Sequence, residues 1–110
     1  MVSVTIEDFQ KIDIRVGKIV SAEKHEKSTK SAYKLKIDFG LLGIKQSSAQ
    51  ITKLYKPEEL VGKQILAVVN FPAKEIAGFS SEVLVMGIYS DKGVVLLKPE
   101  KEAKIGERVG

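Results

Sequence analysis

The chain runs to 110 residues and 12.1 kDa, with 44% hydrophobic and 29% charged residues, enough for one core of its own and too little for a second domain. With no cysteine it holds neither a disulfide framework nor a thiolate zinc site. No apolar run nears the roughly 18 residues of a membrane span, and the acids in MVSVTIEDFQK are unlike the start of a signal peptide, so a cytoplasmic protein is expected.

In chain order, Thr5 followed by Asp8 predicts a capped, brief N-terminal helix within residues 1–11. A strand is predicted over 12–23, where Ile12, Ile14 and Val16 alternate with Asp13 and Arg15 until Gly17 breaks the phase and marks a bulge. KHEKSTKS, residues 24–31, carries no apolar side chain and reads as a loop. Tyr33, Leu35, Ile37 and Phe39 alternate with Lys34, Lys36 and Asp38 in a clean half-buried strand. Gly40 and Gly43 bracket a turn into a third strand over 44–48, and SAQITKLY is a mixed stretch. Pro57 with Glu58 and Glu59 suits a first helical turn that Gly62 ends. QILAVVNF, residues 64–71, reads as a central strand buried on both faces. PAKEIAGFSS, residues 72–81, is a ten-residue connection, EVLVMGIYS is another strand, and S-D-K-G at 90–93 turns into VVLL as a hairpin. Pro99 opens a C-terminal extension, residues 99–110, either disordered or able to pair with another chain. Five or six strands with one or two brief helices predict an all-β fold, a small closed β-barrel, as a single domain over 1–110.

The net charge of +4 is local. Residues 18–36 hold Lys18, Lys24, Lys27, Lys30, Lys34 and Lys36 against Glu23 and Glu26, and the rest of the chain is neutral. Such a field attracts phosphates or an acidic partner, while a solvated loop is the plainer reading. Arg15 and Arg108 are the only arginines, so any nucleic-acid contact is led by the backbone.

The one histidine, His25, sits in the most polar loop between Lys24 and Lys27 and reads as solvated. The acids are scattered or paired with lysines, and no phosphate-cradling or zinc-protease motif is present. The expectation is no enzyme, no metal and no cofactor. Two features stand out. NFPAKEIAGF gathers Phe71, Pro72, Ile76 and Phe79 in a surface loop beside Asn70, Lys74 and Ser81, where apolar groups either tuck inward or line a contact site. KQSSAQ, residues 45–50, is either a polar loop or a floor for an extended ligand held by amides and hydroxyls.

The runs DIRVGKI, LKIDFG, GIKQSSAQITKLYKPEEL, GKQILAVVNFPAKEIAGFSSEVLVMG and VVLLKP resemble the CsaA family of export-related chaperones across nearly the whole chain. That family is similar to the tRNA-binding C-terminal module of some bacterial methionyl-tRNA synthetases. The resemblance implies a barrel of the oligonucleotide/oligosaccharide-binding type with short terminal extensions, assembled as a homodimer. It also implies an ATP-independent role in holding unfolded preproteins, with the export ATPase as a further candidate partner. Residue by residue, Asn70, Pro72 and Lys74 match the N-x-P-x-K element, Ser81 the serine after the glycine loop, and Lys45, Gln46, Ser47 and Ser48 the place where tRNA-binding members carry a basic residue and a serine. Where those members commonly carry another basic residue, this chain has Glu75, Ile76 and Ala77, which weakens phosphate attraction and favours apolar side chains. The peptide-binding set is therefore Asn70, Phe71, Pro72, Lys74, Ile76, Phe79, Ser81, Gln46, Ser47 and Ser48. The alternative, a structure-specific tRNA-binding protein, rests on Lys24, Lys27, Lys30, Lys34, Lys36, Lys45 and Lys74.

Overall fold

The structure is a computed structural model that describes residues 1–110. Its elements are α1 (Ile6–Gln10), β1 (Ile14–Lys24), β2 (Tyr33–Asp38), a 3-10 turn (Gly40–Leu42), β3 (Ile44–Ala49), α2 (Pro57–Leu60), β4 (Gln64–Val68), β5 (Lys74–Ile76), β6 (Phe79–Ser81), β7 (Leu84–Val85), β8 (Gly87–Ser90) and β9 (Gly93–Leu96). Thr5 caps α1 as expected: its hydroxyl accepts from the Asp8 amide at 3.1 Å while its own amide donates to the Asp8 carboxylate at 3.3 Å. In α2 the Glu59 carboxylate accepts from the Lys56 amide at 2.7 Å, and the chain leaves through Gly62 at φ 93°. Neither helix is long and apolar enough to cross a membrane.

Five antiparallel strands form one sheet in the order β3-β2-β1-β4-β7. The central strand is therefore β1, and β4 lies between β1 and β7. The length of β1 explains this: its first part pairs with β4 and its second with β2, so one strand turns the corner that two would otherwise share. The sheet then curls until β3 meets the chain after β6, where the Glu82 amide donates to the Gln46 carbonyl at 2.8 Å and the Gln46 amide to the Glu82 carboxylate at 3.0 Å. The result is the expected small all-β barrel, nearly closed. Its core holds Ile19, Leu35, Ile37, Phe39, Ile51, Leu60 and Ile65, with Tyr33 donating its hydroxyl to the Tyr55 carbonyl at 2.7 Å.

Four local expectations are corrected. The bulge is at Val20, where the register slips between Ile19 and Ser21, while Gly17 stays in register opposite Ile65. Gly17 is bare for another reason: a Cβ there would lie 2.5 Å from Ile37 and 2.6 Å from the Phe39 ring. Residues 72–81 are not an open connection but the hairpin β5–β6, turned by Ala77 at φ 50° and Gly78 at φ 79°. The strand predicted over 82–90 is split into β7 and β8, and only β8 belongs to the 90–93 hairpin. The C-terminal extension folds onto its own β1. Val16 donates to the Glu107 carbonyl at 3.0 Å, and Gly106 and Val109 donate back to Val16 and Ile14, each at 2.8 Å.

Candidate functional site

A groove of about 920 Å³ opens on one side of the barrel. It is lined by the end of β3 and the chain after it, Ser47 to Lys53, and by the β8–β9 hairpin, including Tyr89 and Val94. Phe71, Pro72, Lys74 and Ile76 also line it, as do Val83 and Val85. The hairpin β5–β6 is held there by hydroxyls and amides. Ser48 donates its backbone N–H to Ser81 Oγ at 3.0 Å, and the Gln46 side-chain amide donates to the Ser80 carbonyl at 3.0 Å. Ser47, almost wholly buried, lies 3.5 Å from the Ser81 hydroxyl.

Of the peptide-binding set, Ser47, Ser48, Phe71, Pro72, Lys74, Ile76 and Ser81 line this groove. Phe71 is 49% exposed, so an aromatic face stands open at its rim. Gln46, Asn70 and Phe79 lie elsewhere. Asn70 ties the entry of β1, accepting from the Asp13 amide at 2.9 Å and donating to the Lys11 carbonyl at 2.7 Å. Phe79 turns away and packs on His25, ring centroids 5.5 Å apart, with the Lys34 ammonium 5.6 Å above its ring. His25 is thus not a solvated loop residue. It is 6% exposed, and its Nδ1 lies 2.9 Å from Ser48 Oγ. Its own loop is closed by a backbone bond, the His25 amide donating to the Ala32 carbonyl at 3.0 Å.

Among the lysines, Lys30 and Lys74 line the groove, whereas Lys24, Lys27, Lys34, Lys36 and Lys45 do not. Lys34 is paired with Glu23 at 3.2 Å. Lys53 joins the groove from the stretch the sequence left mixed, and no carboxylate lies within 4.0 Å of Lys30, Lys53 or Lys74. Tyr89 and Val94 gave no signal in sequence, since only the folded hairpin brings them into the same groove as the end of β3. Both arginines are committed to Asp13. Arg15 Nε lies 2.6 Å and Arg108 Nε 3.7 Å from its carboxylate, while Arg15 also donates to the Gly106 carbonyl at 3.0 Å. The hydrogen bond from Arg15 holds the Asp13 carboxyl below its ordinary value of 3.8, overriding the cost of desolvation, with the charges of Arg15 and Arg108 in support.

Residues 14–108 match the family model of the tRNA binding domain. The chain is similar to the solved chaperone CsaA of Bacillus anthracis str. Ames, at 50% identity and a TM-score of 0.93 over 99% of this chain and 100% of that one. It is equally similar to the CsaA chaperone protein of Picrophilus torridus, at 51% identity and a TM-score of 0.94 over 98% and 100%. It is also 38% identical over 106 residues to methionine–tRNA ligase of Pyrococcus horikoshii, which covers 96% of this chain. The chain spans 14% of the length of that curated relative. A barrel of this topology, matched over residues 14–108 and over the full length of both CsaA structures, shows that the chain belongs to the tRNA binding domain family, within its CsaA group.

Proposed function

We propose that the chain is a non-catalytic, ATP-independent chaperone that holds extended stretches of unfolded preprotein in its groove, working in the cytoplasm as a homodimer of a single-domain subunit. The observation that carries this reading is the groove itself, open, peptide-sized and faced by Phe71, Ile76, Val83, Val85 and Val94 with hydroxyls beside them. Burying one leucine-sized client side chain there contributes on the order of 1.5–3 kcal/mol, a weak and unselective affinity suited to many clients. Two grooves in a dimer raise avidity for one long chain. Val2, Val4 and Ile6, exposed on the N-terminal segment, offer apolar surface for the second copy. The export ATPase is a proposed further partner. The CsaA likeness supports the reading. Light scattering of a chemically denatured client tests it: Phe71→Asp and Ile76→Asp are expected to lose most protection with the barrel still folded, and full protection by both variants would refute the groove.

A second reading, tRNA binding, is favoured by the family match and by Lys30, Lys53 and Lys74, which face the groove without acidic partners. It predicts a log–log salt slope of about −0.7 to −0.9 per phosphate contacted, and Lys53→Glu and Lys74→Glu each lower that slope by about one contact. A gel shift that is absent or indifferent to salt removes it.

A further inference from the structure

The groove contains one polar group whose hydrogen-bonding sense is set from behind. Ser48 lines the groove, and its hydroxyl has a single proton, which points either to His25 or outward. Its backbone N–H is already committed to Ser81, so the hydroxyl is the only donor Ser48 has left for a ligand. Behind it His25 is fixed by the folded-back loop and by Phe79, with Nδ1 at 2.9 Å from Ser48 Oγ. No buried side-chain nitrogen or oxygen lacks a partner, and Nε2 has no protein partner, so Nε2 reaches solvent. Water there serves either tautomer; with the proton on Nε2, Nδ1 is an acceptor, and the Ser48 proton then points into the protein. When the ring gains a second proton, Nδ1–H must donate, Ser48 Oγ accepts it, and the serine proton turns outward.

We infer that His25 is a positioning residue that sets the polarity of Ser48 in the groove: with neutral His25 the hydroxyl accepts from a ligand N–H, and with protonated His25 it donates to a ligand carbonyl. The inference rests on the polypeptide reading of the groove and adds a selectivity to it. A backbone segment without an N–H at this point, as at proline, loses a contact at neutral pH and regains one in acid. The charged groups next to His25 in sequence are Lys24, at the end of β1, and Glu26 and Lys27 on its loop; Lys34 on β2 stands over Phe79, with its partner Glu23 on β1.

Two measurements on the full chain test this. Ring nitrogen NMR of the unliganded protein at about pH 8 is expected to show the Nε2–H tautomer with Nδ1 as an acceptor; an Nδ1–H tautomer there overturns the inference without touching the groove. Fluorescence anisotropy then compares a labelled, end-capped peptide of alternating Leu and Ser with its analogue N-methylated at every Ser. Wild type is expected to prefer the unmethylated peptide about threefold to tenfold at about pH 8 and to show a smaller preference at about pH 5.5, where Oγ has one lone pair taken by Nδ1–H and its own proton is free for a carbonyl of either peptide. Ser48→Ala is expected to show little preference at either pH. His25→Asn, whose Oδ1 accepts and does not titrate, is expected to keep the preference at both. A preference in Ser48→Ala equal to that of wild type, or a wild-type preference unchanged by pH, overturns the role of His25 and leaves polypeptide binding standing. Failure of wild type to bind either peptide overturns the polypeptide reading and the inference with it.

Discussion

Gly17 shows how much of the barrel depends on one absent side chain. Phe39 is wholly buried, and its ring passes so close to the β1 backbone that a methyl at Gly17 would overlap both it and Ile37. These neighbours are core side chains with no free direction in which to move, so the overlap must be relieved by shifting strand against strand. Gly17→Ala is therefore expected to destabilise the fold by about 1–3 kcal/mol, although alanine is otherwise the better strand residue. Urea unfolding of the two proteins measures this, and an unchanged midpoint would mean that β2 yields at no expense. His25 makes the complementary point. Its polar neighbours in sequence predicted solvent, but the ring is shielded by Phe79, which lies 54 residues along the chain and is brought close only by the β5–β6 hairpin.

At the scale of elements, the strands with strict alternation were legible and the irregular ones were not. Tyr33, Leu35 and Ile37 point inward on β2 with Lys34 and Lys36 turned out, as a period of two requires. The capping box of α1 and the tight turn of β8–β9 were equally local and equally readable. The hairpin β5–β6 escaped because its turn uses Ala77 in the left-handed region, a conformation that L-residues adopt at a cost of roughly 1–2 kcal/mol and that sequence signals assign to Asn or Gly. Here the cost is offset by side-chain to backbone links from Gln46 and Ser81 that fasten the hairpin to β3. The groove was half legible for the same reason. Its KQSS and NFPAKEI segments carry their composition openly, whereas Lys53, Tyr89 and Val94 enter through the closure of the barrel.

Over the whole molecule, the two chain ends meet around a single carboxylate. Asp13 lies just before β1, Arg15 on it and Arg108 in the C-terminal extension, and the Arg15 and Asp13 side chains are only 25% and 24% exposed. Through Arg15 and its contact with the Gly106 carbonyl, Asp13 also secures the backbone bonds that Gly106, Glu107 and Val109 make with β1. A carboxyl held below its ordinary value of 3.8 by such partners stabilises the fold at every pH above that value. The contribution disappears as pH falls from there through the lower, folded-state value, because protonation removes the charge that both arginines share. Asp13→Asn is accordingly expected to be less stable than wild type at neutral pH, with the gap closing as the solution is acidified below about pH 4. Hydrogen exchange at the Val16, Gly106 and Val109 amides should quicken in the variant at neutral pH and in wild type only in acid. A gap in unfolding midpoint that persists undiminished into strong acid would show that Asp13 contributes through shape rather than charge, and that the extension is held by its backbone bonds alone.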